Sequence, residues 1–106
     1  MTPDEKPRTP ARHRRQWVVI SYDIVDDRRR TRVMKTLEGY GQRVQYSVFE
    51  CELRPSDLRK LKERLERLIE PDEDDIRFYT LCESCLDKVI TLGRAQLHRR
   101  QPFKIL

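Results

Sequence analysis

The chain has 106 residues and a mass of 12.9 kDa, which bounds it to one domain. Charged residues make up 39% and hydrophobic residues 37%, but Leu, Val and Ile recur at ordered spacings, so wholesale disorder is excluded. The longest aliphatic and aromatic run is Trp17-Val18-Val19-Ile20, too short to span a membrane, and the charged, Pro-rich start carries no secretory signal. Three Cys in such a chain point to a reducing cytoplasm and not to a disulfide scaffold.

The net charge of +5 sits in the tails: +3 in residues 1–16, +4 in residues 93–106 and −2 between them. The N-terminal arm is expected to be disordered, and reads either as a phosphate-attracting arm or as a solubilising extension. The C-terminal tail ends in Pro102-Phe103-Lys104-Ile105-Leu106, a possible docking segment. The ordered part, 17–92, is small enough that a homodimer is expected.

Trp17–Tyr22 reads as a central strand, apolar on both faces, with Asp23 at its C-terminal end. Asp26 or Asp27 caps a helix whose apolar positions are Val33, Met34, Leu37 and Tyr40, and Gly39 and Gly41 end it. Gln42–Leu53 is extended, with a phase shift between Val48 and Phe49 that means a bulge or two short strands. Pro55-Ser56 opens a second helix with Ser56 as its cap and an apolar stripe of Leu58, Leu61, Leu65, Leu68 and Ile69. Its charged faces offer the pairs Arg59–Glu63, Lys62–Glu66 and Glu63–Arg67. An acidic loop, Glu70–Asp75, precedes a strand at Ile76–Leu81 and a short last strand at Lys88–Leu92. This order suits an α+β, ferredoxin-like sandwich with two helices on one face of an antiparallel sheet.

A carboxylate at the end of a buried strand must find water, a partner or a metal, which singles out Asp23. Arg30 lies in the first turn, within the apolar stripe, and helical side chains lean toward the N-terminus, so it is aimed back at Asp23. Two readings fit: an Asp23–Arg30 ion pair holding the turn, or an anionic metal ligand beside a phosphate-binding guanidinium. The two His, His13 and His98, lie in the tails, and no Gly-rich phosphate loop exists. Hydrolysis would therefore use a metal-activated water, with a symmetric dimer supplying a second copy of Asp23. Cys82-Glu83-Ser84-Cys85 is a CxxC with only Cys51 left to complete a zinc site. Glu83 and Asp87 are expected to raise its thiol pKa, so it reads as a structural turn.

Tyr22-Asp23-Ile24, then Asp26-Asp27-Arg28-Arg29-Arg30-Thr31-Arg32-Val33, Leu37, Tyr40-Gly41 and Arg43-Val44-Gln45-Tyr46-Ser47-Val48-Phe49-Glu50 resemble CRISPR-associated protein Two, the small CRISPR adaptation endonuclease family. The resemblance covers about residues 17–92. Residues 1–16 depart from it, since family members usually begin almost at the first strand. It implies a ferredoxin-like homodimer and a Mg²⁺-dependent endonuclease, with another divalent cation such as Mn²⁺ as a variant. Its substrate would be single-stranded RNA or double-stranded DNA. The family's metal-binding Asp falls on Asp23, its adjacent Tyr on Tyr22, its helix Arg pair on Arg30 and Arg32, its second-strand Arg on Arg43 and its following Phe on Phe49. The resemblance also implies a partner, the CRISPR integrase (CRISPR-associated protein One), in spacer acquisition. The alternative is a non-catalytic dimeric scaffold that binds spacer duplex DNA and bridges integrase subunits. An RNA reader on the same fold lacks the aromatic signature on Trp17–Tyr22 and Ile76–Leu81. A toxin-like messenger-RNA nuclease shares the fold and first Asp, but the Arg-Val-Gln-Tyr-Ser-Val-Phe segment favours the CRISPR reading.

Overall fold

The computed structural model describes residues 15–93. The expected arm and tail therefore fall almost wholly outside the described residues. Four strands are present: β1 (Gln16–Asp23), β2 (Gly41–Gln45), β3 (Val48–Leu53) and β4 (Asp75–Leu81). Three helices join them: α1 (Asp27–Glu38), α2 (Pro55–Leu68) and a single turn, α3 (Glu83–Leu86). The sheet order is β2-β3-β1-β4 and every neighbouring pair is antiparallel, the ferredoxin-like arrangement.

Alternation along β1 sends Val18, Ile20 and Tyr22 to the helix side, where they are buried. They meet Phe49, Cys51 and Leu53 of β3, Val33 and Leu37 of α1, and Leu61 and Leu65 of α2 in one core. Leu58, Leu68 and Ile69 border it, so the stripe on α2 faces the sheet. Trp17 and Leu86 are also buried, but stand outside this cluster. Among the described residues no helix is long and apolar enough to cross a membrane.

The phase shift in the second extended stretch proves to be both a hairpin and a bulge. Tyr46 and Ser47 form the turn between β2 and β3, and the register slips between Arg43 and Gln45. Gly41 is demanded by close approach: a Cβ there would run into the Glu50 carbonyl and Cys51 on β3. Gly39 caps α1 in right-handed geometry (φ −76°), so no left-handed residue is used to stop that helix.

Three local expectations are corrected. The second helix is capped by Arg54, without a side-chain bond, because Pro55 takes the first helical position and draws Ser56 inside. Lys88–Leu92 is not a strand. The chain leaves β4 into α3, and Ile90 and Leu92 stand 83% and 84% exposed, paired with no strand of the sheet. The charged pairs along α2 do not close: none of Arg59–Glu63, Lys62–Glu66 and Glu63–Arg67 is among the ion pairs formed within 4 Å, which include those of Arg29, Arg30 and Arg77. Exposed charges in water gain little from fixed pairing.

Candidate active site

The end of β1 delivers Tyr22 and Asp23 to opposite faces. Tyr22 is buried beside Phe49, ring centroids 6.3 Å apart, and its hydroxyl donates to the Tyr46 carbonyl at 3.3 Å. Burial pushes its phenol pKa up, so it stays a neutral donor. The Tyr22 N–H donates to the Ser47 carbonyl at 3.0 Å, which ties the strand end to the β2–β3 turn. Asp23 is exposed and carries no ion pair among the described residues.

Arg30 reaches back along the helix as expected, but its partner differs. Its Nε and Nη2 donate to the Ile24 carbonyl at 3.1 and 2.9 Å, and Nη2 also to the Val25 carbonyl at 3.2 Å. Its ion pair is with Asp27, which raises the guanidinium pKa. The Asp23–Arg30 ion pair is thus replaced by a grip on the backbone just after Asp23. Leaning toward the N-terminus carries the guanidinium to the carbonyls of that loop.

Arg43, from β2, donates Nε to the Tyr46 carbonyl at 3.0 Å and lies 5.0 Å from the Tyr46 ring centroid. Two adjoining open hollows, each of about 390 Å³, meet over these groups. Tyr22, Arg30 and Tyr46 line both; Asp23 and Ser47 close one, and Met34 and Arg43 the other. The structure therefore brings Tyr22, Asp23, Arg30 and Arg43 together. Phe49 lies beneath them in the core, and Arg32 stands exposed on α1 outside the lining.

Two groups at this site are not singled out by the sequence. Tyr46, 70% exposed, has a carbonyl that collects both the Tyr22 and Arg43 donors. Asp74, hidden in the acidic loop, has a side chain with no exposed surface. It accepts from the Val25 and Glu70 N–H groups and from the Arg29 fork. The Arg29 bond is the main cause that holds its carboxyl down at about 2. Only an Arg one turn into α1 with an acid just before β4 could have signalled it. The expected influence of Glu83 and Asp87 on the CxxC is also overturned. Hydrogen bonds from Ser84 and Cys85 bring the Cys82 thiol down to about 7.

A small antiparallel α+β sandwich, with an exposed carboxylate at the end of its first strand beside arginines and a tyrosine, defines a ferredoxin-like domain. The family model for CRISPR-associated protein Cas2 matches residues 16–89, and the chain belongs to that family. A curated relative from Synechocystis, named CRISPR-associated endoribonuclease Cas2 3, is 51% identical over 79 residues, covering 74% of this chain and 86% of the relative. A CRISPR-associated endoribonuclease Cas2 from Thermus thermophilus is 41% identical, over 81% of this chain and 92% of its own. The crystal structure of Streptococcus pyogenes Cas2 superposes with a TM-score of 0.64 at 39% identity, over 73% of this chain and 99% of that one. A chain of a partial Cas6-RT-Cas1–Cas2 complex superposes with a TM-score of 0.65 at 31% identity, over 77% of this chain and 99% of that one.

Proposed function

We propose that this chain is a metal-dependent endonuclease of CRISPR spacer acquisition, acting as a homodimer with Asp23 as its catalytic metal ligand. The observation that carries the reading is the exposed Asp23 carboxylate on the rim of a hollow lined by Tyr22, Arg30, Tyr46 and Ser47. Relatives named endoribonucleases support RNA as a substrate; duplex DNA is the other candidate.

A second copy is part of the proposal. Val19, Val48 and Leu81 are partly exposed and Tyr79 is exposed on the sheet face opposite the helices. A core this small gains from covering that face. Among the described residues no cluster of three or more His, Cys, Asp or Glu could hold a metal. One carboxylate per chain suits Mg²⁺, which takes hard oxygen ligands and keeps waters and substrate phosphate oxygens. Two Asp23 carboxylates facing each other across the dimer axis would hold one ion. Bound there, Mg²⁺ supplies Lewis acidity toward the scissile phosphate and a water of lowered pKa.

The chain's own residues do the rest. Arg30 fixes the Ile24–Val25 backbone and so the approach of Asp23. Arg43 and Arg32 offer guanidinium donors to phosphate oxygens. Tyr22, clamped to Tyr46 and backed by Phe49, sets the strand end in place.

The second reading, a scaffold that binds spacer duplex and bridges integrase subunits without cutting, is supported by the likeness to a chain of a Cas1–Cas2 complex. One experiment separates the two. Purified protein and Asp23→Asn are incubated with single-stranded RNA and duplex DNA, with Mg²⁺ and with chelator, and both are weighed in solution. Cutting that needs both Asp23 and Mg²⁺ supports the enzyme. Binding without cutting, equal in both proteins, overturns it in favour of the scaffold, and a monomeric mass overturns the shared site.

A further inference from the structure

Cys82 and Cys85 flank the single turn of α3 at the exit of β4, and both are exposed. Their sulfurs lie 3.2 Å apart. The Cys82 sulfur is also 3.2 Å from the Ser84 hydroxyl and accepts the Cys85 N–H at 3.4 Å. The Cys82 sulfur thus accepts one N–H, stands beside a hydroxyl and donates its S–H to the second sulfur. Nothing in the proposed nuclease site uses this pair. The third cysteine, Cys51, is buried in the core under Gly41, and burial pushes its thiol up to about 12.

We propose that Cys82 and Cys85 form a reversible dithiol–disulfide site, with Cys82 the attacking sulfur and Cys85 the resolving one, whose co-reactant is a small-molecule disulfide of the glutathione class. The Cys82 thiolate attacks one sulfur of that disulfide. A mixed disulfide forms and one small thiolate leaves. Cys85 then attacks the Cys82 sulfur, gives its proton to a released thiolate and expels the second small thiol. Two protein thiols are oxidised to one disulfide, and one disulfide is reduced to two thiols.

Division of labour follows from the surroundings. The Cys85 N–H and the Ser84 hydroxyl beside the Cys82 sulfur favour its thiolate near neutral pH, where an attacking thiol is most effective. Cys85 is pushed the other way by its bond to Cys82, so it waits as a thiol until the mixed disulfide forms. The new bond would lock the turn that buries Leu86 and leads to the exposed Val89, Ile90 and Leu92.

The full chain is equilibrated near pH 7 in graded mixtures of reduced and oxidised glutathione, trapped with a maleimide and weighed intact and after digestion. The expected product has lost two hydrogens, joins Cys82 to Cys85, leaves Cys51 as a thiol and reverts on reduction. Cys85→Ser should stop at glutathione on Cys82, and Cys82→Ser should react about tenfold more slowly or less. Stable glutathione on wild-type Cys82, disulfides between chains, equal rates in the two variants, or oxidation only after unfolding would each overturn the proposal.

Discussion

Arg29 and Asp74 lock three segments into one junction. The Arg29 Nε donates to Asp74 Oδ2 at 2.8 Å and Nη2 to Oδ1 at 3.2 Å, while Asp74 also accepts the Val25 and Glu70 N–H groups at 3.0 and 2.8 Å. The loop after β1, the first turn of α1 and the loop before β4 therefore share one carboxylate. Val25 is held from both sides, its N–H by Asp74 and its carbonyl by Arg30. Asp23 sits two residues upstream of that clamp.

Acid should open this junction. The Asp74 carboxyl is lowered from 3.8 to about 2 in the folded chain. Its contribution is therefore complete above pH 4 and is lost as pH falls through about 2. Asp74→Asn is expected to melt several degrees below wild type at neutral pH, with the gap closing as pH falls through that window. Melting curves from pH 7 to pH 2 check this; a gap independent of pH would assign the loss to packing.

Asp23 and Asp75 are directly opposite in the β1–β4 register, and both are exposed. Like charges opposite one another cost the sheet a few tenths of a kcal/mol. Asp23→Asn should leave the melting temperature unchanged or slightly raised while cutting disappears. Thermal melts beside a cleavage assay measure both, and a strongly destabilised variant would make Asp23 a structural residue of the turn.

The strands, the two long helices and the sandwich were legible because Val18, Ile20, Leu61 and Leu65 repeat at the periods of strand and helix. The end of the chain was not. Lys88–Leu92 has strand-like composition, but a strand exists only with a paired edge, and pairing is not a local property. At the candidate site, Asp23 and Arg30 were visible as types in a pattern, and Arg43 only through the family resemblance. The Arg30 grip on carbonyls and the Asp74 clamp were not, since they join positions 6 and 45 to 49 residues apart through backbone groups that composition does not show.

Gly41→Ala tests the close approach of β2 and β3. The added methyl would meet the Glu50 carbonyl and the Cys51 side chain, neither of them a flexible end. A loss of roughly 1–3 kcal/mol is expected on denaturant unfolding, as for other overpacked positions. Gly39→Ala, where the nearest atom is 3.4 Å away, should cost little and serves as the control.

Arg43 should act through phosphate and not through base identity. Its Nε donates to the Tyr46 carbonyl, its Nη1 contacts the Met34 sulfur at 3.5 Å and its guanidinium carbon lies over the Tyr46 ring, which fixes the group on the wall of the hollow. Arg43→Ala is expected to weaken binding of RNA or duplex by a similar factor for every sequence. It should also lower the slope of log affinity against log salt by about one. Arg43→Lys keeps the charge but not the fork over the ring, so it should restore the salt slope and only part of the affinity. Titrations of wild type and both variants at several salt concentrations decide this. An unchanged slope in Arg43→Ala would place Arg43 in the hairpin's structure alone, because a guanidinium that touches no phosphate releases no counterion.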